Sequence, residues 1–180
     1  HGGSNIGVGV AILPGEFSAG YIHHEMGILL RESRYYYRDA VTPANMHRWP
    51  ATTHDNYALN DPSTGNPPGY GGSNSQIKPG ALLALSTSFN VAGLATIPGR
   101  IIGQAAQDYG FRIVDGVGRT NGIGIDMART PDLDSVDEFF GLYGFTFRAG
   151  LRNGRAVATR AVVRAMAHPS YRYDGPEDIG

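Results

Sequence analysis

The sequence predicts a β-rich α+β domain built on an antiparallel sheet or sandwich, a jelly roll being one form of it, with two or three short helices. Two features favour this class. Short apolar stretches alternate with turn formers, and 26 Gly and 11 Pro among 180 residues supply the turns. The clearest helical stretch leads through a single Gly into a strand. A chain of this length is expected to fold around one core, so residues 1–180 are predicted to form a single domain.

The first forty residues predict four short elements. Apolar residues interrupted by Gly over 6–13 indicate a strand. Ser18 fits the N-cap of a short helix that Gly27 closes. The apolar residues 28–30 and the aromatic stretch 34–41 then predict two further strands.

Residues 42–80 predict a long irregular segment, because turn formers such as Asn66-Pro67-Pro68-Gly69 recur throughout it. Loops of this length inside a compact domain are usually functional or disordered. The aromatic and polar side chains of this segment favour an ordered, functional loop.

The second half of the chain is organised around residues 101–115. An apolar helical pattern runs to Gly110, and a strand follows it and ends at Asp115. Residues 81–86 predict a buried strand ahead of this element. Residues 123–127 predict a strand that pairs with residues 111–114.

Three further elements are predicted towards the end of the chain. A capping-box pattern over 135–138, just before two Phe, predicts the start of a short helix. Residues 145–148 favour a strand, and residues 155–167 favour a helix although their Val and Thr content also suits a strand.

Composition excludes several classes of function. A formal net charge of −1, with scattered basic residues, argues against nucleic acid as a partner. No apolar run approaches the roughly 20 residues that span a bilayer. The absence of cysteine removes thiolate catalysis, disulfides and cysteine metal sites. Residues 116–118 lack the last Gly of a dinucleotide loop, and we predict neither an organic cofactor nor a metal.

Four segments follow one another along the chain: ILPG at 12–15, GYIHH at 20–24, PATTHD at 50–55 and AAQDYGFRIVD at 105–115. They resemble the ILPG…GxIxHAL, PATHxD and ALxxYGxxVxD motifs of a poorly characterised family of secreted bacterial and fungal proteins. Glu25 stands where the family has Ala, and Ala106 stands where it has Leu.

The resemblance implies a secreted protein in a setting of extracellular glycans, since members of that family often accompany carbohydrate-related modules. It implies no catalytic residues. Members also tend to carry a sizeable upstream region, so the chain is expected to be a processed or partial polypeptide.

Several residues are candidate catalytic groups for glycan cleavage, which uses two carboxyl groups about 5–10 Å apart. Asp115 ends a strand, and Glu16 or Asp55 is its candidate partner, with His24 or His54 as a helper. The alternatives are structural. Asp115 also suits a turn carboxylate that accepts backbone N–H bonds ahead of Gly116, and His24 suits a hydrogen-bonded residue that fixes a turn.

Four residues are candidate sugar contacts. The Trp49 ring offers an apolar platform within the long loop, close to His54 and Tyr57. Tyr109 is the fourth candidate, at the turn between the predicted helix and strand.

The leading hypothesis is therefore a secreted protein that binds or cleaves an extracellular polysaccharide or oligosaccharide. A second hypothesis is a self-assembling extracellular or envelope protein, for which another copy or a second chain is the partner. A third is a copper oxidase that uses the amine and imidazole of His1, although an affinity-tag remnant also explains a chain that opens HGGS.

Overall fold

One mixed β-sheet forms the centre of the domain. The computed structural model describes residues 9–117, 123–128, 135–143, 150–152 and 155–157, the last two ranges by their backbone only. The strands are β1 (Met26–Leu30), β2 (Leu82–Leu83), β3 (Phe111–Gly116), β4 (Gly124–Met127), β5 (Gly150–Arg152) and β6 (Arg155–Val157). They lie in the order β2-β3-β1-β4-β6-β5.

The α+β class is confirmed, but the purely antiparallel sheet is wrong. Strands β1 and β3 pair in parallel, from Met26 beside Phe111 to Leu30 beside Gly116, and the other strand pairs are antiparallel. A second sheet facing this one is not among the described residues, so the sandwich stays a prediction.

Four α-helices accompany the sheet within the described ranges: α1 (Glu16–Ala19), α2 (Glu32–Tyr35), α3 (Ile97–Asp108) and α4 (Ser135–Tyr143). Helix α3 begins where the Thr96 hydroxyl accepts a hydrogen bond from Gly99 N at 3.1 Å. It gives way to β3 through Gly110, whose φ of 87° only Gly adopts readily. This confirms the predicted helix-to-strand element, and α4 confirms the predicted helix at Ser135.

Several sequence predictions in the first half are wrong. The helix predicted from Ser18 lies earlier, as α1, and β1 already begins at Met26. The strand predicted over 34–41 is α2 followed by a loop in which Tyr37 bridges Gly72. Tyr36 is instead turned into the core, where it is fully buried.

Other predictions need correction at the sheet. The strand predicted over 81–86 is the two-residue, half-exposed edge strand β2. Strand β4 pairs with β1 and not with residues 111–114, because β1 lies between them. Residues 155–157 form β6 and not the predicted helix. The predicted strand over 145–148 lies outside the described residues, and of the strand over 6–13 the described part shows a bridge from Ile12 to Met127.

The core is divided along the length of β1. Near its first residue, Met26, α3 packs on the sheet together with α1 and α4 through the residues of one apolar cluster. Over Ile28 and Leu30, the covering layer comes from Tyr36, just after α2, and from the long segment through Tyr70. The long segment over 42–80 is therefore part of the core, although it contains little regular structure.

Gly80 fixes that segment to β3, because its N–H donates to Ile113 O at 2.9 Å. Its φ is 85°, and a Cβ there would overlap the Arg48 carbonyl oxygen.

We expect Gly80→Ala to lower the free energy of unfolding by at least about 2 kcal/mol in urea titrations. Gly141→Ala is the matched control, since Gly141 lies in α4 with open space around it. The control should raise stability by up to about 1 kcal/mol, and equal effects of the two variants would contradict the explanation.

Candidate functional site

A cluster of acids and tyrosines lies at the carboxyl ends of β1 and β3. Because these strands are parallel, the residues that end them meet at one edge of the sheet. Glu32 follows β1 closely, Asp115 is the last residue but one of β3, and Asp55 approaches from the long loop. We call this group the acid–tyrosine cluster; it comprises Glu32, Tyr36, Asp55, Tyr57, Tyr70 and Asp115.

Two tyrosine hydroxyls of this cluster are hydrogen-bonded to its carboxyl groups. The Tyr70 hydroxyl donates to Asp55 Oδ2 at 2.7 Å and accepts from Asp55 N at 3.2 Å. The Tyr57 hydroxyl lies 3.4 Å from Glu32 Oε1. The cluster therefore joins loop residues to residues of α2.

Asp115 is held at the end of β3 by its own turn. Its Oδ1 accepts from Gly116 N at 2.8 Å, and its carbonyl oxygen accepts from the Tyr36 hydroxyl. The first of these bonds is the one expected for a turn carboxylate, so the structural role predicted for Asp115 is present.

Burial raises the pKa values of Asp55 and of the tyrosines in this cluster. Asp55 is 4% exposed, and burial raises the pKa of its carboxyl group, with a further contribution from the Asp115 charge. Burial also raises the pKa values of Tyr57 and Tyr70, to which the Asp55 charge adds. The tyrosines therefore remain protonated donors at every physiological pH.

Glu16 and His24 form a separate pair near the amino end of β1. The His24 Nε2 atom lies 3.1 Å from the Glu16 carboxylate, and Nδ1 lies 2.8 Å from Glu25 O. Five residues of strand span about 13 Å, so this pair and Asp115 lie at opposite ends of the sheet. The structure brings Asp55, but not Glu16 or His24, to Asp115.

The predicted sugar contacts of the loop do not form one surface. Trp49 is 78% exposed, whereas Tyr57 belongs to the acid–tyrosine cluster. His54 faces His47, with their ring centroids 5.7 Å apart and a buried Nδ1 on each that has no hydrogen-bond partner. Burial, followed by the charges of His54 and Lys78, lowers the pKa of His47.

The fourth predicted sugar contact, Tyr109, lines an open groove between α3 and residues 20–23. We call it the α3 groove; its volume is about 510 Å³, within the usual range for small-molecule sites. Its aromatic wall consists of Tyr21, His23 and Tyr109, of which Tyr21 is 53% and Tyr109 is 41% exposed. The rings of Tyr21 and His23 are stacked, with their centroids 4.2 Å apart, and the centroid of the Tyr109 ring lies 6.4 Å from that of His23.

Polar residues of α3 line the same groove. Arg100, Gln104 and Asp108 are spaced four apart, so they lie along one face of the helix. Gln104 Nε2 donates to both oxygens of Asp108 at 3.0 Å. The groove thus combines flat aromatic surface with polar groups whose positions are already fixed.

Sequence reasoning missed Glu32, Tyr21 and Arg100. Glu32 could have been found from its place just after an apolar strand, had the parallel pairing of that strand with β3 been known. Tyr21 and Arg100 are about 80 residues apart in the chain and carry no shared local signal, since α3 packing alone brings them together.

Comparisons with protein-family models, with curated proteins and with solved structures give no match. The resemblance of four segments to a family of secreted proteins therefore stays a prediction.

Within the described residues, no helix is both long and apolar enough to cross a membrane. In the same part of the chain, no three His, Asp or Glu side chains are grouped so that they could hold a metal ion. His1, the residue of the copper hypothesis, lies outside the described ranges.

The raised pKa of Asp55 makes a prediction about pH. A buried carboxyl group whose pKa in the folded protein exceeds its ordinary value of 3.8 costs stability progressively as pH rises through the folded pKa. Asp55→Asn removes that cost and can keep the Tyr70 hydrogen bond. We expect its free energy of unfolding to gain on the wild type as pH rises above about 4, as measured by urea titration.

Asp39→Asn is the control with the opposite sign. A backbone hydrogen bond from Thr42 lowers the pKa of Asp39, an exposed carboxylate, so this group stabilises the fold above the pKa of an unfolded Asp. The Asn variant should lose stability relative to the wild type as pH rises. Parallel stability curves for Asp55→Asn and the wild type would show that Asp55 is not shifted as described.

Proposed function

We propose that this protein is secreted and binds an extracellular polysaccharide in the α3 groove. The observation that carries the proposal is the aromatic wall of Tyr21, His23 and Tyr109 beside the fixed polar pair Gln104 and Asp108.

This combination matches the chemistry of a sugar. A pyranose ring presents C–H groups on its faces, which pack on an aromatic ring, and hydroxyls around its edge. The Gln104 amide and the Asp108 carboxylate hold each other in place and retain acceptor capacity for those hydroxyls. A groove whose side chains are already ordered loses less entropy when a ligand binds.

Binding is favoured over cleavage in this groove because the acid pair is elsewhere. Tyr109 precedes β3, whereas Asp115 lies near the other end of that strand, about 13 Å from its first residue, Phe111. A glycan that lies in the α3 groove does not meet Asp55 and Asp115 there.

The aromatic wall can be tested by removing one ring at a time. We expect Tyr21→Ala and Tyr109→Ala each to weaken retention on a bound polysaccharide about 2- to 10-fold in affinity electrophoresis. Tyr35→Ala is the matched control, since Tyr35 is 39% exposed and lies outside the groove. If Trp49→Ala alone weakens retention, the binding surface is the long loop and not the α3 groove.

Glycan cleavage at the acid–tyrosine cluster is a second candidate function. The observation that favours it is the meeting of two carboxyl groups, Asp55 and Asp115, of which burial and the Asp115 charge raise the pKa of Asp55. Glycoside hydrolysis uses two carboxyl groups, and the one with the raised pKa acts as the acid. Because Asp55 is 4% exposed, a glycan reaches this pair only where the loop that covers it moves aside.

This candidate predicts that the wild type releases reducing ends from the glycan it binds. Asp55→Asn and Asp115→Asn should each abolish release, by about 100-fold or more, while Glu16→Gln should leave it unchanged. Binding without release by the wild type would remove the enzymatic candidate and leave the binding function intact.

A further inference from the structure

Arg100 is a cation in the α3 groove, and most of its N–H groups donate no hydrogen bond to the described residues. In the described structure its guanidinium makes one hydrogen bond, from Nη1 to Leu94 O at 2.7 Å, and no ion pair. We infer that the α3 groove selects acidic polysaccharides, with Arg100 binding the carboxylate of a uronic acid residue. This inference rests on the proposed function and names its class of ligand.

Other arginines show how a structural guanidinium is satisfied in this fold. Arg38 donates to the carbonyl oxygens of Ala58, Leu59 and Asn60, and so holds the long loop. Arg112 forms a two-pronged ion pair with the Glu25 carboxylate and also donates to a backbone carbonyl. By comparison, Arg100 is anchored at one nitrogen only.

That single anchor suits recognition of a carboxylate. The bond to Leu94 O restrains one side of the guanidinium, and Nε and Nη2 form the opposite edge. A planar edge of two N–H groups matches the two oxygens of a carboxylate, in the paired geometry that makes Arg–carboxylate contacts strong.

The charges along the groove also favour an acid at this position. Arg100 lies in the first turns of α3, where the helix dipole disfavours a cation unless an anion is near. Asp108 is eight residues further on, about 12 Å along the helix axis, and its carboxylate accepts a hydrogen bond from Gln104. An acidic sugar at Arg100 therefore gains a counter-charge without approaching Asp108.

The test compares polymers that differ chiefly in the charge at C6 of the sugar. Wild-type protein is titrated by isothermal calorimetry with polygalacturonate, with the same polymer as its methyl ester, and with a neutral galactan. We expect polygalacturonate to bind about tenfold or more tightly than the methyl ester. Because Arg–carboxylate attraction is screened by salt, this preference should shrink as ionic strength rises.

Variants then test whether Arg100 causes the preference for polygalacturonate over its methyl ester. Arg100→Gln should bind polygalacturonate and its ester about equally, because the variant loses the cation that distinguishes the acid from the ester. Arg34→Gln is the control, since Arg34 lies over Tyr35 in α2 and outside the groove. Thermal unfolding of each variant checks that the fold is kept, and the wild-type comparison needs no variant at all.

The outcomes separate the two proposals. Equal wild-type binding of ester and acid, with loss in Tyr109→Ala, overturns the inference and leaves the proposed function standing. A preference that survives in Arg100→Gln also overturns the inference. Wild type that binds no glycan of a broad acidic and neutral panel overturns the proposed function and the inference together.

Discussion

The parallel pairing of β1 with β3 is the constraint on which the rest of the structure depends. Parallel neighbours require the chain to cross from the end of one strand to the start of the next, and here some eighty residues make that crossing. The crossing carries both the long loop and α3. At the amino ends of the two strands, the Glu25–Arg112 ion pair fixes the register. At the carboxyl ends the same register brings Glu32 against Gly116, where a side chain on residue 116 would overlap the Glu32 carboxylate.

The acid–tyrosine cluster explains how a loop with little regular structure becomes a layer of the core. Burying carboxyl groups is costly unless donors meet them, and the tyrosines supply those donors from the loop itself. The Tyr70 hydroxyl serves Asp55 from within the loop, and its ring packs edge-on against Tyr36, with ring centroids 5.1 Å apart. Removing one member therefore leaves a buried polar group without its partner. Such a cluster is more useful for specifying one loop conformation than for adding stability.

Patterns of a few neighbouring residues, such as a Gly at a turn or a capping box, correctly predict where some helices and strands begin and end. Gly110 ends α3 and leads into β3, as its position in the sequence indicates, and α4 begins at Ser135 within the predicted capping box. Pairing between distant strands has no such signal, so the partner predicted for β4 is wrong. The aromatic stretch around Tyr36 suits a strand by propensity, but burial of that ring against Tyr70 and the sheet decides its conformation. In the same way, the sequence singles out Asp115 because it ends a strand, whereas its meeting with Asp55 comes only from the fold.

The charged groups around the β1–β3 pair differ in their partners and in their exposure. These two properties distinguish the groups that hold the fold together from the groups that an external ligand can reach. At the carboxyl end, Asp55 is 4% exposed and its carboxyl group is partnered by Tyr70, so any ligand would have to displace part of the core to reach it. At the amino end, Glu25 already neutralises Arg112. Arg100 lies in an open groove beside exposed aromatic rings and has no carboxylate partner in the described part of the chain. Arg112 is paired with Glu25, whereas Arg100 is anchored by one carbonyl oxygen, and its charge lies where an external anion can approach.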